Sequence, residues 1–347
     1  MRERVRIGIF GASGYTGAEL LRLLGDHPLA EIRALTAERQ AGKPVAEVWP
    51  QLAPYGLPDL VRIQDVDVGG LDVVFCALPH ATTQAIIREL PRGPKMVDLS
   101  ADFRLRDPAV YEATYGHPHQ ALEAQADAVY GLSEHYRDAI ARTWLVANPG
   151  CYTTAAELPL VPLLKRGLIQ PAGIIIDAKS GVSGAGRDAK QGSLFTEVTE
   201  GIHPYGVATH RHTPEIEQCL SDFADAPIRV TFTPHLVPMS RGILATIYVR
   251  LASGAEPGDA HQALADAYAG EPFVHVLPFK TLPATRHVRG TNLCLIGVHP
   301  SRIPGEAIIV SALDNLVKGA SGQGVECFNL AFGFERTAGL EAAIQWP

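Results

Sequence analysis

Concentrated positive charge is what this 347-residue chain lacks most: 30 lysines and arginines stand against 37 aspartates and glutamates, with no lysine-rich block. The net charge of −7 and the scattered bases speak against nucleic acid or an anionic membrane as a partner. A small anionic ligand stays open, because a few clustered arginines outweigh a mildly acidic total. Cysteine is scarce as well. The five thiols, at 76, 151, 219, 294 and 327, are odd in number, far apart and without a Cys-x-x-Cys pair, which removes a zinc motif and a disulfide framework from consideration and fits a reducing compartment. No apolar run approaches the ~20 residues of a membrane-crossing helix. The first ten residues pass straight into a strand-like pattern with no signal-peptide core. Repeats and low-complexity tracts are absent. These gaps lead to the expectation of a soluble, cytoplasmic protein without a resident metal.

What is present is an enzyme-like composition, 46% apolar and 19% charged, in a chain long enough for two cores. Apolar β-branched runs at 4–10, 31–36, 71–78 and 95–99 alternate with helical spacing at 16–24 and 81–90. That rhythm predicts a parallel sheet covered on both faces. After residue 151 the texture changes. Strand-like runs at 174–178, 228–233, 243–251 and 307–312 are separated by long segments rich in Gly, Pro and His, the pattern of a mixed α+β sheet with functional loops. A final helical pattern from 315 to 332 is expected to pack back on the first domain. The predicted fold class is therefore α/β: a Rossmann-type parallel-sheet domain over 1–149, completed by 315–347, and an α+β domain with a mixed sheet over 150–314.

Gly11-Ala-Ser-Gly-Tyr-Thr-Gly17 falls between the first strand and the first helix, where a pyrophosphate meets unpaired helix N–H groups. Gly11, Gly14 and Gly17 permit the tight turn and the close approach, Ser13 and Thr16 offer hydroxyls, and Tyr15 stands among them. In such folds an acid about twenty residues on holds the ribose of NAD. Here the second strand ends in Leu35-Thr36-Ala37-Glu38-Arg39. Thr36 and Arg39 facing the ribose would favour NADP; the alternative is that Glu38 and Arg39 form a solvated pair.

The chemistry concentrates at Cys151. An Asn148-Pro149-Gly150 turn delivers this thiol to the start of an Ala- and Leu-rich helical segment, where unpaired N–H groups and the helix dipole favour thiolate, the form that attacks carbonyl carbon. The other four cysteines lie in apolar patterns and read as packing residues. Three further runs carry useful groups. Residues 179–187 follow a strand, are too glycine-rich for a helix, and bring Ser180, Gly181 and Arg187 to a ligand-contacting loop. In 210–217 a loop enters a helix with Pro214 near its first turn; His210 or His212 can act as general acid/base with Glu215 orienting an imidazole. A metal site of two histidines and two glutamates is the weaker reading there. Residues 100–104 close a strand at the edge where open α/β sheets bind ligands. Arg104 there can fork onto phosphate or carboxylate, or pair with Asp102 or Asp107.

Together these runs, with Asp314-Asn315-Leu316-Val317-Lys318-Gly319, resemble the N-acetyl-γ-glutamyl-phosphate reductase family, in family order over nearly the whole chain. The broader relatives are the aspartate-semialdehyde dehydrogenases. The resemblance implies NADP(H) as coenzyme, Cys151 as nucleophile, the acid/base within His210 and His212, and a catalytic and oligomerisation role for the second domain as a homodimer or homotetramer. It implies coenzyme contacts at Asn315, Ser180 and Gly181. Ser100, Arg104, Asn148, Arg187 and Arg211 are the expected substrate contacts, with phosphate and carboxylate not apportioned among the arginines. The reaction implied is NADPH-dependent reduction of N-acetyl-γ-glutamyl phosphate to N-acetylglutamate 5-semialdehyde and phosphate in arginine biosynthesis. The rival readings are a reductase of carrier-protein-linked aminoadipyl phosphate in lysine biosynthesis and a non-catalytic NADP sensor.

Overall fold

The structure, a computed structural model, describes residues 4–90, 93–224 and 226–341; the extremities of the expected domain segments, 1–3 and 342–347, lie outside the described residues. The chain separates into two compact units. One takes the described residues up to Pro149 and those from Ala320 onward; the other is Gly150–Gly319.

In the first unit the strands are β1 (Val5–Phe10), β2 (Ala30–Thr36), β3 (Leu60–Val61), β4 (Val73–Cys76), β5 (Lys95–Asp98), β6 (Val129–Tyr130) and β7 (Leu145–Ala147), in the order β3-β2-β1-β4-β5-β7-β6. Every pairing is parallel. Ile7, Ile9, Phe10 and all of Val73–Cys76 are inaccessible to solvent, as expected of strands covered on both faces. Sheet growth reverses direction at β1, which has β2 on one side and β4 on the other, and the carboxyl ends of β1 and β4 therefore frame the crevice where such sheets take ligands. The helix Gly322–Ala331 belongs to this unit. It packs on the helices Ser133–Arg142 and Tyr15–Gly25 and on β5, with Phe328 edge-on to Phe75 at 5.8 Å.

The second unit holds β8 (Ile174–Gly181), β9 (His203–Pro204), β10 (Val230–Val237), β11 (Ile243–Arg250), β12 (Val274–Val276), β13 (Cys294–Pro300) and β14 (Glu306–Leu313), ordered β12-β13-β14-β11-β8-β10-β9. β8 with β10 and β12 with β13 are parallel and the remaining pairs antiparallel. Alternation is plain in β11, where Ile243, Ala245, Ile247 and Val249 are buried while Tyr248 and Arg250 face out. The helix Cys151–Lys165 lies against β11 and β14 and against the helices Thr213–Phe223 and Pro257–Tyr268. Residues Tyr152 through Leu164 are all buried, with Thr153, Thr154 and Glu157 enclosed among largely apolar neighbours, the pattern of a helix covered on every face.

Two expectations are corrected. Lys179, Ser180 and Gly181 do not follow their strand; they are its last residues. β8 is paired on both sides here, with β10 as far as Gly181 and with β11 as far as Ser180, and that pairing overrides the poor strand preference of glycine. The loop begins only at the 3-10 turn Val182–Ala185. Nor is 315–332 one helix: a π turn, Val317–Ser321, precedes Gly322–Ala331. Among the described residues no helix is long and apolar enough to cross a membrane.

Candidate active site

The glycine run of the first unit is shaped by close approach. Gly11, at the end of β1, has φ +89°, and a Cβ there would stand 2.2 Å from the Ala77 carbonyl oxygen beyond β4. A Cβ on Gly17 would stand 2.4 Å from the Gly11 carbonyl oxygen. Gly14 differs: only the Gly11 oxygen comes near, at 3.6 Å. The room above Gly14 is what a pyrophosphate needs to reach the first N–H groups of Tyr15–Gly25, a helix with no side-chain cap and no acid in its first turn. A dinucleotide phosphate thus fits the loop. Tyr15 is partly exposed beside Trp49, whose indole N–H donates to the Ala12 carbonyl at 3.1 Å. Thr36 is buried, and its hydroxyl oxygen accepts from Gly11 N at 3.2 Å, so it shapes the loop from below. Glu38 and Arg39 are both exposed on the turn Glu38–Gln40, with Glu38 accepting from Ile63 N at 3.3 Å.

Beyond β5 the residues 98–104 form a buried polar network. Asp98 accepts from Ser100 N and Oγ at 3.0 and 2.8 Å, and Ser100 Oγ accepts from Asp102 N at 3.1 Å. Burial, reinforced by the Asp102 charge, pushes the Asp98 carboxyl up to about 7 against the pull of Ser100. Asp102 meets His80 Nδ1 at 2.7 Å and accepts from Ala81 N and Gln84 N. Burial raises its pKa, but these partners outweigh burial and leave it below the usual value. Arg104 is 7% exposed. Its Nε donates to the Asn148 carbonyl at 2.8 Å and its Nη2 to the Leu99 carbonyl at 3.1 Å. Asn148 is itself buried, donating through Nδ2 to the Ala320 carbonyl at 3.1 Å. The structure therefore places Arg104 and Asn148 where they brace the turn at 148–149, and Ser100 in the network of Asp98 and Asp102.

In the second unit Cys151 is the first residue of its helix, with Gly150 as N-cap. It is half-buried, whereas Cys76, Cys219, Cys294 and Cys327 are buried. Glu215 is 1% exposed and puts Oε1 on Gly150 N at 2.8 Å and on the Thr153 hydroxyl at 2.9 Å. The carboxylate thus ties the start of the cysteine helix to the helix Thr213–Phe223, on which Glu215 sits. His212 is buried and is the N-cap of that second helix.

His210 lies in an aromatic cage. Its ring centroid is 4.8 Å from His212, 5.3 Å from Phe232, 5.5 Å from Tyr205 and 5.7 Å from Tyr152, all near edge-on. Burial first, and the Arg211 charge second, push the His210 imidazole down to about 4. Its Nδ1 lies 3.1 Å from His212 N, a backbone donor, so Nδ1 is the acceptor and the neutral ring carries its proton on Nε2. Tyr205, which the sequence did not single out, donates to the Tyr152 hydroxyl at 2.9 Å, and Tyr152 donates to the His235 carbonyl at 3.3 Å. Tyr205 directly follows β9, an exposed two-residue edge strand too short to read from sequence.

Asn315 is 2% exposed; it accepts from Gly242 N at 2.7 Å and donates to Ser183 Oγ at 2.9 Å, linking the loop after β8 to the start of β11. Ser180 is buried and donates to the Gly181 carbonyl at 3.0 Å. Gly181 has no room for a side chain, since a Cβ would lie 2.7 Å from Arg241 N. Arg187 and Arg211 are both exposed. Among the described residues no three His, Cys, Asp or Glu side chains are grouped to hold a metal ion, and the run 210–217 does not converge as one.

Comparison with known proteins accounts for both units. The chain matches the family described as semialdehyde dehydrogenase, NAD binding domain, over residues 6–143, and semialdehyde dehydrogenase, dimerisation domain, over residues 151–315. It is 58% identical over its whole length to the full N-acetyl-gamma-glutamyl-phosphate reductase of Rhodospirillum rubrum. It is 56% identical to the probable chloroplastic N-acetyl-gamma-glutamyl-phosphate reductase of Arabidopsis thaliana, covering 97% of this chain and 84% of that one. Among solved structures, aspartate semialdehyde dehydrogenase II complexed with ASA from Vibrio cholerae shares the fold at 18% identity and TM-score 0.72, over 95% of this chain and 99% of that one. Aspartate semialdehyde dehydrogenase with NADP from Candida albicans does so at 18% and 0.69, over 94% and 98%.

Proposed function

The chain belongs to the N-acetyl-gamma-glutamyl-phosphate reductase family of semialdehyde dehydrogenases, and from that premise we propose that it reduces N-acetyl-γ-glutamyl phosphate to N-acetylglutamate 5-semialdehyde and phosphate through a thioester on Cys151. The names of its relatives favour neither a carrier-linked substrate nor a non-catalytic sensor. The observation that carries the reading is the setting of Cys151: the one half-buried thiol, at the first position of an enclosed helix whose start is pinned by Glu215.

Attack by the Cys151 thiolate on the acyl carbonyl forms the C–S bond, and phosphate leaves with the electron pair of the broken C–O bond. The positive end of the helix dipole at this helix start supports the charge that gathers on the carbonyl oxygen. NADPH, when bound, supplies the hydride that takes the thioester to the aldehyde level. The 11–17 loop would hold its pyrophosphate, and Asn315, Ser180 and Gly181 are the residues we assign to contacts with the coenzyme. His210 presents an Nε2–H donor to the oxygen, and the proton exchange of the thiohemiacetal belongs to the His210–His212 pair. The C–S bond then breaks to release semialdehyde and thiolate. Arg187 and Arg211, both exposed, are the arginines we assign to an anionic substrate, while Arg104 supports the turn at Asn148.

The match of 151–315 to a dimerisation domain supports assembly as a homodimer or homotetramer, and a cytoplasmic location agrees with five cysteines that form no disulfide. The test is phosphate-dependent formation of NADPH from NADP⁺ and N-acetylglutamate semialdehyde. Cys151→Ser is expected to keep NADP(H) affinity and lose at least ~10³-fold in kcat, the scale of a lost nucleophile. Substantial turnover by that variant would refute the thioester route.

A further inference from the structure

β14 ends at Leu313, and the six residues after it are held by a dense set of backbone bonds. The buried Asp314 carboxylate accepts from Leu316 N at 2.9 Å and Val317 N at 3.3 Å through Oδ1, and from Gly290 N at 2.7 Å through Oδ2. Gly319 N donates to the Asp314 carbonyl at 2.9 Å. The neighbouring Asn315 is fixed at both ends of its amide, as described above. The π turn that follows is an energetically unusual arrangement, of the sort that persists where surrounding structure demands it.

What that turn faces is the reactive residue. A Cβ placed on Gly319 would fall 2.7 Å from Cys151 Cβ, 3.1 Å from Cys151 Cα and 3.2 Å from Leu313 Cδ1. Gly319 does not have a left-handed φ, so glycine is required by contact and not by torsion. Neither side has slack. Gly319 is tied to Asp314, and the helix start bearing Cys151 is tied to Glu215 through Gly150 N. Carbon atoms in ordinary contact sit about 3.5–4.0 Å apart, and a side chain at 319 therefore demands a displacement of roughly 1 Å.

We propose that Gly319 is a positioning residue for the reaction at Cys151, its bare backbone being the floor on which the thiol-bearing carbon is seated. The proposal rests on the reading of Cys151 as the nucleophile. A shift of ~1 Å in a reacting atom costs about 10²-fold in rate, and it acts on the chemical step and not on ground-state binding.

Gly319→Ala is accordingly expected to lower kcat about 100-fold, with KM and the NADPH dissociation constant within a few-fold of the parent, and to change the rate of Cys151 alkylation by iodoacetamide. A double-mutant cycle in thermal unfolding tests the contact without any reference to turnover. Gly319→Ala should lower the Tm of the parent, and most of that loss should vanish in a Cys151→Gly background, where the opposing Cβ is gone. Retention of kcat within about threefold, or an equal Tm loss in both backgrounds, overturns the proposal. Failure of the thioester reading would show separately, as turnover by Cys151→Ser with the cycle intact.

Discussion

Removing Glu215 is the sharpest test of how the cysteine helix is built. Oε1 of this carboxylate takes hydrogen bonds from both Gly150 N and the Thr153 hydroxyl in a site that is 1% exposed. Bonds to an ionised acceptor contribute roughly 1.5–3 kcal/mol each, and an unsatisfied buried N–H costs roughly 1–3 kcal/mol. Glu215→Ala should thus lose about 3–5 kcal/mol of unfolding free energy by urea denaturation. In Glu215→Gln the amide oxygen can still accept both bonds, so only the charge contribution goes, and the expected loss is about 1–2 kcal/mol. Reactivity should move the other way. A carboxylate against a helix N-terminus offsets the positive end of the dipole, an interaction of about 0.3–1 kcal/mol. With the charge removed, the Cys151 thiolate is favoured and alkylation below the thiol pKa should quicken by about two- to fivefold. A stability loss under about 0.5 kcal/mol for Glu215→Ala, the size of an ordinary surface change, would refute the bracing role; slower alkylation of Glu215→Gln would refute the electrostatic one.

Two other outcomes are expected. Gly11→Ala adds ~1–2 kcal/mol of left-handed backbone strain to a 2.2 Å clash with the Ala77 carbonyl. It should weaken NADP(H) binding at least ~10-fold by fluorescence titration, since the glycines of such a loop set the backbone's approach to the pyrophosphate. Alkylation of Cys151 should be unaffected. His210 titrates near 4 when folded against 6.5 in the free side chain. The unfolded chain therefore binds the extra proton first as pH falls, and the stability this group contributes is complete above about 6.5 and is lost on the way down to about 4. The loss is at most about 3 kcal/mol, and His210→Asn should flatten urea-denaturation stability across that window. His27 and His119, also lowered by burial, keep some slope in place.

Features encoded within a few neighbouring residues were legible in the sequence. The glycine run of 11–17, the strand–helix alternation and the start of a helix at Cys151 are local patterns, and each stands where it was expected. Features made by long-range pairing were not. Lys179–Gly181 looks like loop until β10 and β11 are seen on either side of it. Tyr205 owes its place at the His210 cage to a two-residue strand paired with β10. Glu215 has the spacing of a helix-start acid, but its bonds to Gly150 and Thr153 span 65 and 62 positions. The buried Asp98 network is equally opaque, because Val-Asp-Leu-Ser reads as the ordinary end of a strand.

The first unit is also a problem of timing. Its closing helix supplies Gln323, whose amide donates to the Gly131 carbonyl and the Ser133 hydroxyl at 2.7 and 2.9 Å, and Phe328, which fills the space beside Phe75. Between Pro149 and Ala320 lie the 170 residues of Gly150–Gly319, and synthesis at ~5–20 residues per second makes that an interval of roughly 10–30 s. For that interval the parallel sheet waits on the ribosome with an apolar seam open. The sheet that begins first is closed last, and a chain stopped at Gly319 lacks the helix that covers it.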